Sequence, residues 1–209
     1  MRSAFARAET FVWFTSQGVF LLLRRFIDAE TGDERHRPPP LRKERQLNIA
    51  IMRHGIAEDT AASGRDFDRA LTAKGRDHVR DVARALVSAG EAPTEIVTSP
   101  LVRARETAAA LLDVLGELPL EIARALEPGK DALGLVTSLF HEGRDNVVLI
   151  GHEPDLSDLV SCLVGFIPPQ SMSKAMVVSV ELRADPTEGR GFASSSRFVL
   201  DPKTLLFTR

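Results

Sequence analysis

Between residues 47 and 164 the chain alternates short apolar runs with longer segments whose apolar residues recur every three or four positions. The runs near 47–53, 95–98, 120–123 and 146–151 read as buried strands. The periodic segments predict helices over about 72–89, 100–115, 131–141 and 154–164. Thr72 suits the cap of the first helix, with Val79, Val82, Ala83, Leu86 and Val87 on its buried face. Ser99 suits the cap of the second and Pro100 its first position, with Leu101, Ala104, Ala108, Leu111, Leu112 and Leu115 turned inward. Leu156, Leu159, Val160, Leu163 and Val164 share one face of the fourth. Two more strands are expected near 175–182 and 195–200. This alternation predicts an α/β fold, a three-layer α/β/α sandwich with a mostly parallel central sheet.

Three strand ends carry polar residues with a shared chemistry. The run Ile49-Ala-Ile-Met stops at Arg53-His54-Gly55. The strand at 95–98 leads into Ser99-Pro-Leu-Val-Arg103-Ala-Arg-Glu-Thr107. The strand at 146–151 closes on Gly151-His152-Glu153-Pro154. In a parallel sheet the carboxyl ends lie along one edge, where open α/β sheets place their ligand crevice. A neutral imidazole such as His54 can attack phosphorus, and the Arg53 guanidinium can grip phosphoryl oxygens two at a time. Gly55 lets the backbone turn sharply and approach a ligand. Arg103 falls in the first helical turn, where free N–H groups and the helix dipole favour an anion. Arg105 lies about 200° further round the helix and faces solvent. Singly, each has an ordinary reading as a polar loop, a surface arginine or a structural histidine. Together, two arginines and two histidines in one small volume repel one another unless an anion sits among them, and phosphate is the natural guest.

Arg-His-Gly, then Ser-Pro-x-x-Arg-Ala-x-x-Thr, then Gly-His-Glu-Pro resembles the histidine phosphatase superfamily, also called phosphoglycerate-mutase-like. The stretch Arg69-Ala-Leu-Thr-x-x-Gly75 and the short spans between motifs look like the SixA-type phosphohistidine phosphatases. The resemblance covers about residues 47–183. It implies that His54 is the nucleophile that becomes phosphorylated and that Arg53, Arg103 and His152 hold the phosphoryl oxygens. It also implies a pocket arginine at Arg69, for which a solvated position beside Asp66 and Asp68 is the other reading. The family needs no metal or other cofactor, because a basic pocket neutralises the charge that a divalent ion neutralises elsewhere.

Composition narrows the setting. The 209 residues are 44% hydrophobic with a net charge of −2, which gives no general attraction for nucleic acid. Residues 1–45 carry a net +3 and the remainder −5. The single cysteine, Cys162, excludes an internal disulfide framework, fits a reducing, cytoplasmic setting and is expected to pack within its helix. Phe11–Leu23 is apolar but interrupted by Thr15-Ser-Gln-Gly18, and shorter than the ~20 residues that cross a membrane, so no stable insertion is expected. Arg24-Arg25 stands where a signal-peptide cleavage site should be. Residues 28–45, with Pro38-Pro-Pro40, read as an extended linker. The expected organisation is therefore an extension over 1–45, disordered, peripheral or translated from a mis-assigned start, and a phosphatase domain over 46–209.

The proton donor for a leaving group is open between Glu153, beside His152, and Glu127, in the loop before the third helix. Each has a plain alternative, a first-turn acid favoured by the helix dipole and a solvated loop residue. A labile P–N bond asks least of an acid, so the expected substrate is phosphohistidine on a signalling or phosphotransfer protein. A small phosphorylated metabolite is the alternative partner, and a non-catalytic phospho-ligand module the alternative class. Asp66-Phe-Asp68 follows Ser63-Gly-Arg65 rather than an apolar strand, which argues against an aspartyl nucleophile. Gly129-Lys130 lacks the spaced glycine of a P-loop.

Overall fold

The computed structural model describes residues 13–15, 18–20, 45–165, 171–185 and 191–209. Two compact units result, Met1–Arg42 and Lys43–Arg209. In the first, strands β1 (Trp13–Thr15) and β2 (Gly18–Phe20) pair antiparallel, with Trp13 opposite Phe20. The linker expected over 28–45 lies outside the described residues except for Arg45. No helix among the described residues is long and apolar enough to cross a membrane.

The second unit is a seven-stranded sheet with helices on both faces. Its elements run β3 (Gln46–Arg53), α1 (Ala73–Ser88), β4 (Glu95–Thr98), α2 (Val102–Leu115), β5 (Leu120–Ile122), α3 (Ala132–Glu142), β6 (Asn146–Gly151), α4 (Asp155–Val164), β7 (Val177–Ala184), β8 (Phe192–Leu200) and β9 (Phe207–Thr208). The spatial order is β5-β4-β6-β3-β7-β8-β9. Alternate residues of β3 serve opposite faces, as strand geometry requires. Leu47, Ile49 and Ile51 pack with α3 and α4, whereas Ala50 and Met52 pack with α1 and α2.

The sheet is mixed rather than mostly parallel. β5, β4, β6 and β3 run parallel, but β7 pairs antiparallel with β3, β8 with β7 and β9 with β8. Parallel pairing needs a crossover connection, yet β7 follows helix α4 and still returns beside β3 running against it. No helix separates β7 from β8 among the described residues, so the chain doubles back.

Three local expectations are corrected. Val87 is 49% exposed because it lies at the flank of the stripe formed by Val79, Val82, Ala83 and Leu86. Helix α2 begins at Val102 with Leu101 as its cap residue, so Ser99 is not the cap, although its hydroxyl accepts a long bond from the Leu101 amide at 3.4 Å. Cys162 is exposed, since Leu156, Leu159, Val160 and Leu163 fill the buried side of α4. Thr72 does cap α1, its side chain accepting from the Gly75 amide.

Candidate active site

The parallel register brings three strand ends level. Arg53 lies beside Gly151, and Thr98 beside Ile150. The next residue of each strand continues the ladder, with the His54 amide donating to Gly151 O at 3.1 Å and the Ser99 amide to Ile150 O at 3.0 Å. His54, Ser99 and His152 therefore emerge side by side. The two imidazole rings have centroids 5.1 Å apart, tilted by 51°. Each histidine is only 3% exposed, and Arg103 only 6%.

Hydrogen bonds fix how each ring presents itself. His54 Nδ1 lies 2.8 Å from Gly55 O. A carbonyl only accepts, so Nδ1 carries the proton and Nε2 keeps its lone pair. Arg103 Nε donates to that Nε2 at 3.3 Å, and Lys174 Nζ stands 3.4 Å from it on another side. His152 Nε2 meets Ser99 Oγ at 2.8 Å, while its buried Nδ1 has no partner. Burial, reinforced by Lys174, pushes the His54 pKa down to about 2, and His152 and Arg103 add to the fall. Burial, then Arg103 and Lys174, pushes His152 down to about 3. Both rings are neutral at working pH.

Linkage gives an expected outcome for stability. Both folded-state values lie below the ordinary 6.5. The unfolded chain thus takes up protons that the folded chain refuses as pH falls from 6.5 toward about 3. Stability is complete above that window and declines through it. Thermal unfolding from pH 7 to 4 should show a falling Tm, flatter in His152→Gln, and equal slopes in the two proteins would contradict this account.

Arg53 donates from Nη1 to Met172 O at 2.6 Å, its Nε is buried without a partner, and burial lowers its pKa. Arg103 spends both terminal nitrogens on Asp66, Nη1 to the backbone oxygen at 2.8 Å and Nη2 to Oδ2 at 3.0 Å. Arg69 takes the other oxygen of the same carboxylate, Nη1 to Oδ1 at 3.2 Å. Arg69 therefore shares with Arg103 the Asp66 carboxylate beside which the sequence places it. Thr107 Oγ1 accepts from the Gly55 amide at 3.0 Å and donates to Arg103 O at 2.7 Å, which ties α2 to the histidine loop.

Gly55 is required for a different reason from the one expected. Its φ is not among the left-handed values, so the turn itself makes no special demand. A Cβ there would instead sit 2.9 Å from Val79 Cγ2 and 3.3 Å from Gly75 O. Helix α1 is packed directly on the loop.

Neither carboxylate considered as an acid hydrogen-bonds a histidine among the described residues. Glu153, just before α4, accepts at Oε2 from Ser157 Oγ of that helix at 2.6 Å, and its buried Oε1 has no partner among the described residues. Glu127 is half-buried after a 3-10 turn (Arg124–Leu126), and its carboxylate takes part in no hydrogen bond or ion pair among the described residues. Two residues at the site had no such role in the sequence reading, Lys174 and the ion-pairing Asp66. Asp66 was marked only by the run of alternating charges from Arg65 to Arg69, and Lys174 by being the one cation shortly before the apolar run of β7.

Comparison with known proteins agrees with this geometry. The family model for the histidine phosphatase superfamily (branch 1) matches residues 49–127. The phosphohistidine phosphatase SixA of Escherichia coli strain K12 is 34% identical over 142 residues, covering 65% of this chain and 86% of that one. An uncharacterised protein of a Picosynechococcus strain is 31% identical over 166 residues, covering 77% and 99%. A solved structure of the protein histidine phosphatase SixA complexed with tungstate superposes with a TM-score of 0.65 at 28% identity, covering 77% of this chain and all (100%) of that one.

Proposed function

The chain belongs to the histidine phosphatase superfamily, and on that premise we propose that it removes phosphate from phosphohistidine through a phosphorylated His54. The observation that carries the reading is the state of His54 Nε2. It holds a lone pair, because Nδ1 donates to Gly55 O, and it is flanked by the Arg103 and Lys174 cations. In the proposed reaction Nε2 attacks phosphorus and a P–N bond forms. The bond to the leaving group breaks, its electron pair departs with that group, and the group takes up a proton. Water then attacks the phosphoryl group, Nε2 recovers its lone pair, and inorganic phosphate leaves. Arg53, Arg103 and His152 hold the oxygens in this scheme, with Arg69 and the Gly55 loop lining the pocket.

Two observations favour a phosphohistidine-bearing signalling or phosphotransfer protein as the substrate. One is the likeness to SixA. The other is that neither Glu153 nor Glu127 hydrogen-bonds either histidine, so the reading leans on a bond that needs little help from an acid. The deciding measurement is kcat/KM for a phosphohistidine-bearing protein against small phosphate esters. An ester preferred by more than tenfold, about 1.4 kcal/mol, would replace this reading with that of a small-molecule phosphatase.

Turnover is expected to survive EDTA, since guanidinium groups do the work of charge neutralisation, and tungstate should inhibit. Loss of activity in the chelator with recovery on adding Mg²⁺ or Zn²⁺ would count against the scheme. We further propose that residues 46–209 suffice, because every group in it lies between Arg53 and Lys174. Deletion of 1–45 should leave kcat within about twofold, and an inactive or aggregating product would overturn this division.

A further inference from the structure

We propose that Lys174 is a phosphoryl-binding residue of this site, taking an oxygen of the transferred group alongside Arg103 at His54 Nε2. The inference deepens the phosphatase reading and rests on it for chemistry, though not for binding. Three observations carry it.

The first is position. Lys174 Nζ is 3.4 Å from the nitrogen that would bond phosphorus, and Arg103 Nε is 3.3 Å from the same atom. A group attached there displaces both from the nitrogen and brings its oxygens to both.

The second is attachment. The Ala175 amide donates to both Arg53 O and His54 O, at 3.1 and 3.2 Å, and the Arg53 amide donates to Met176 O at 3.2 Å. Arg53 Nη1 reaches back to Met172 O. Ala175 adopts φ 66°, a left-handed conformation that costs a non-glycine residue energy, and the clamp holds it there. The lysine is thus built into the end of β3 by the backbone of the histidine itself.

The third is charge. Arg103 and Arg69 share Asp66, but among the described residues no carboxylate lies within ion-pair distance of Lys174. The charged and titratable groups facing it are Arg53 from β3, Arg103 from α2, Arg69 and Asp66 from the preceding loop, and the two histidines. Burial, then Arg53, Arg103 and Arg69, lower its pKa to about 8. An incoming anion supplies the missing partner.

The test uses the full chain with Lys174→Met and Lys174→Arg. Tungstate affinity by calorimetry at pH 7 should weaken tenfold or more in Lys174→Met and recover to within about threefold in Lys174→Arg. With an aryl phosphate, wild-type kcat/KM should decline as pH rises through about 8. Lys174→Arg should keep its value to higher pH, and Lys174→Met should be low and flat. Tungstate affinity within twofold of wild type in Lys174→Met would overturn the proposal. So would an arginine variant that recovers neither affinity nor the alkaline limb. Tungstate binding is readable without turnover, so an inactive wild type would remove the phosphatase reading while leaving the Lys174 result to stand or fall alone.

Discussion

Replacing His54 by alanine is expected to lower kcat at least about 10³-fold, some 4 kcal/mol of barrier, in a protein that still folds and still binds tungstate. In the proposed reaction the imidazole provides the attacking electron pair, and among the described residues no other unprotonated nitrogen is so situated. His152 is the one alternative, but its Nε2 is engaged with Ser99 Oγ. Arg53, Arg103 and Lys174 remain in the variant, so an oxyanion still finds its cations. Steady-state assays with both a phosphohistidine-bearing protein and an aryl phosphate check this. Activity within tenfold of wild type on either would sink the nucleophile assignment. A wild type that binds tungstate without turning over any phosphate would point to the binding-module alternative.

The second large effect is structural. Gly75→Ala should destabilise the fold by about 3 kcal/mol, a fall in Tm of about 6–12 °C for a chain of this size. An added Cβ would lie 2.1 Å from Ile56 O. That carbonyl cannot step aside cheaply, since it accepts from the Thr72 amide at 2.9 Å and from Thr72 Oγ1 at 3.3 Å. Thr72 Oγ1 in turn accepts from the Gly75 amide at 2.9 Å. The helix start and the loop two residues beyond His54 are thus in backbone contact, with no flexible side chain between them to give way. Calorimetry checks the prediction, and an unchanged Tm would mean that α1 can slide. At permissive temperature the variant should also lose activity, because pushing Ile56 away disturbs Gly55 and His54.

The site was legible in sequence wherever it is built from strands whose carboxyl ends meet. The runs of β3, β4 and β6 each stop at a polar residue, and helical spacing after each fixed the direction of travel. The pattern therefore places His54, Arg103 and His152 together, and the structure has them adjacent. Lys174 was not, for a topological reason. It precedes β7, which runs antiparallel to β3, so the amino end of β7 reaches the edge where the parallel strands finish. Expecting a mostly parallel sheet directs attention to carboxyl ends alone. Ser99 shows a second limit. Its place before Pro100 fits a helix cap by every local rule, yet its hydroxyl faces His152 across 53 residues of sequence, and only tertiary contact reveals that. The acid remains unassigned for a third reason, since a carboxylate's placement depends on where its loop is pulled. Glu153 is drawn toward Ser157 in the helix that follows it.

Asp66 gives the pocket a resident counterion. Its carboxylate bridges Arg103 and Arg69, while its side chain is 64% exposed on a short 3-10 turn (Asp66–Asp68). Any phosphoryl group that claims those guanidinium nitrogens enters by exchange, evicting one anion to install another. Net affinity is then the difference between two attractions, smaller than a count of cations suggests. The same exchange runs in reverse once inorganic phosphate has formed. The displaced carboxylate stays tethered three residues from Arg69 in the same loop, at a local concentration no free ion matches. In the proposed reaction its return would help drive the product out, so the residue that weakens binding would also shorten occupancy and free the cations for the next turnover.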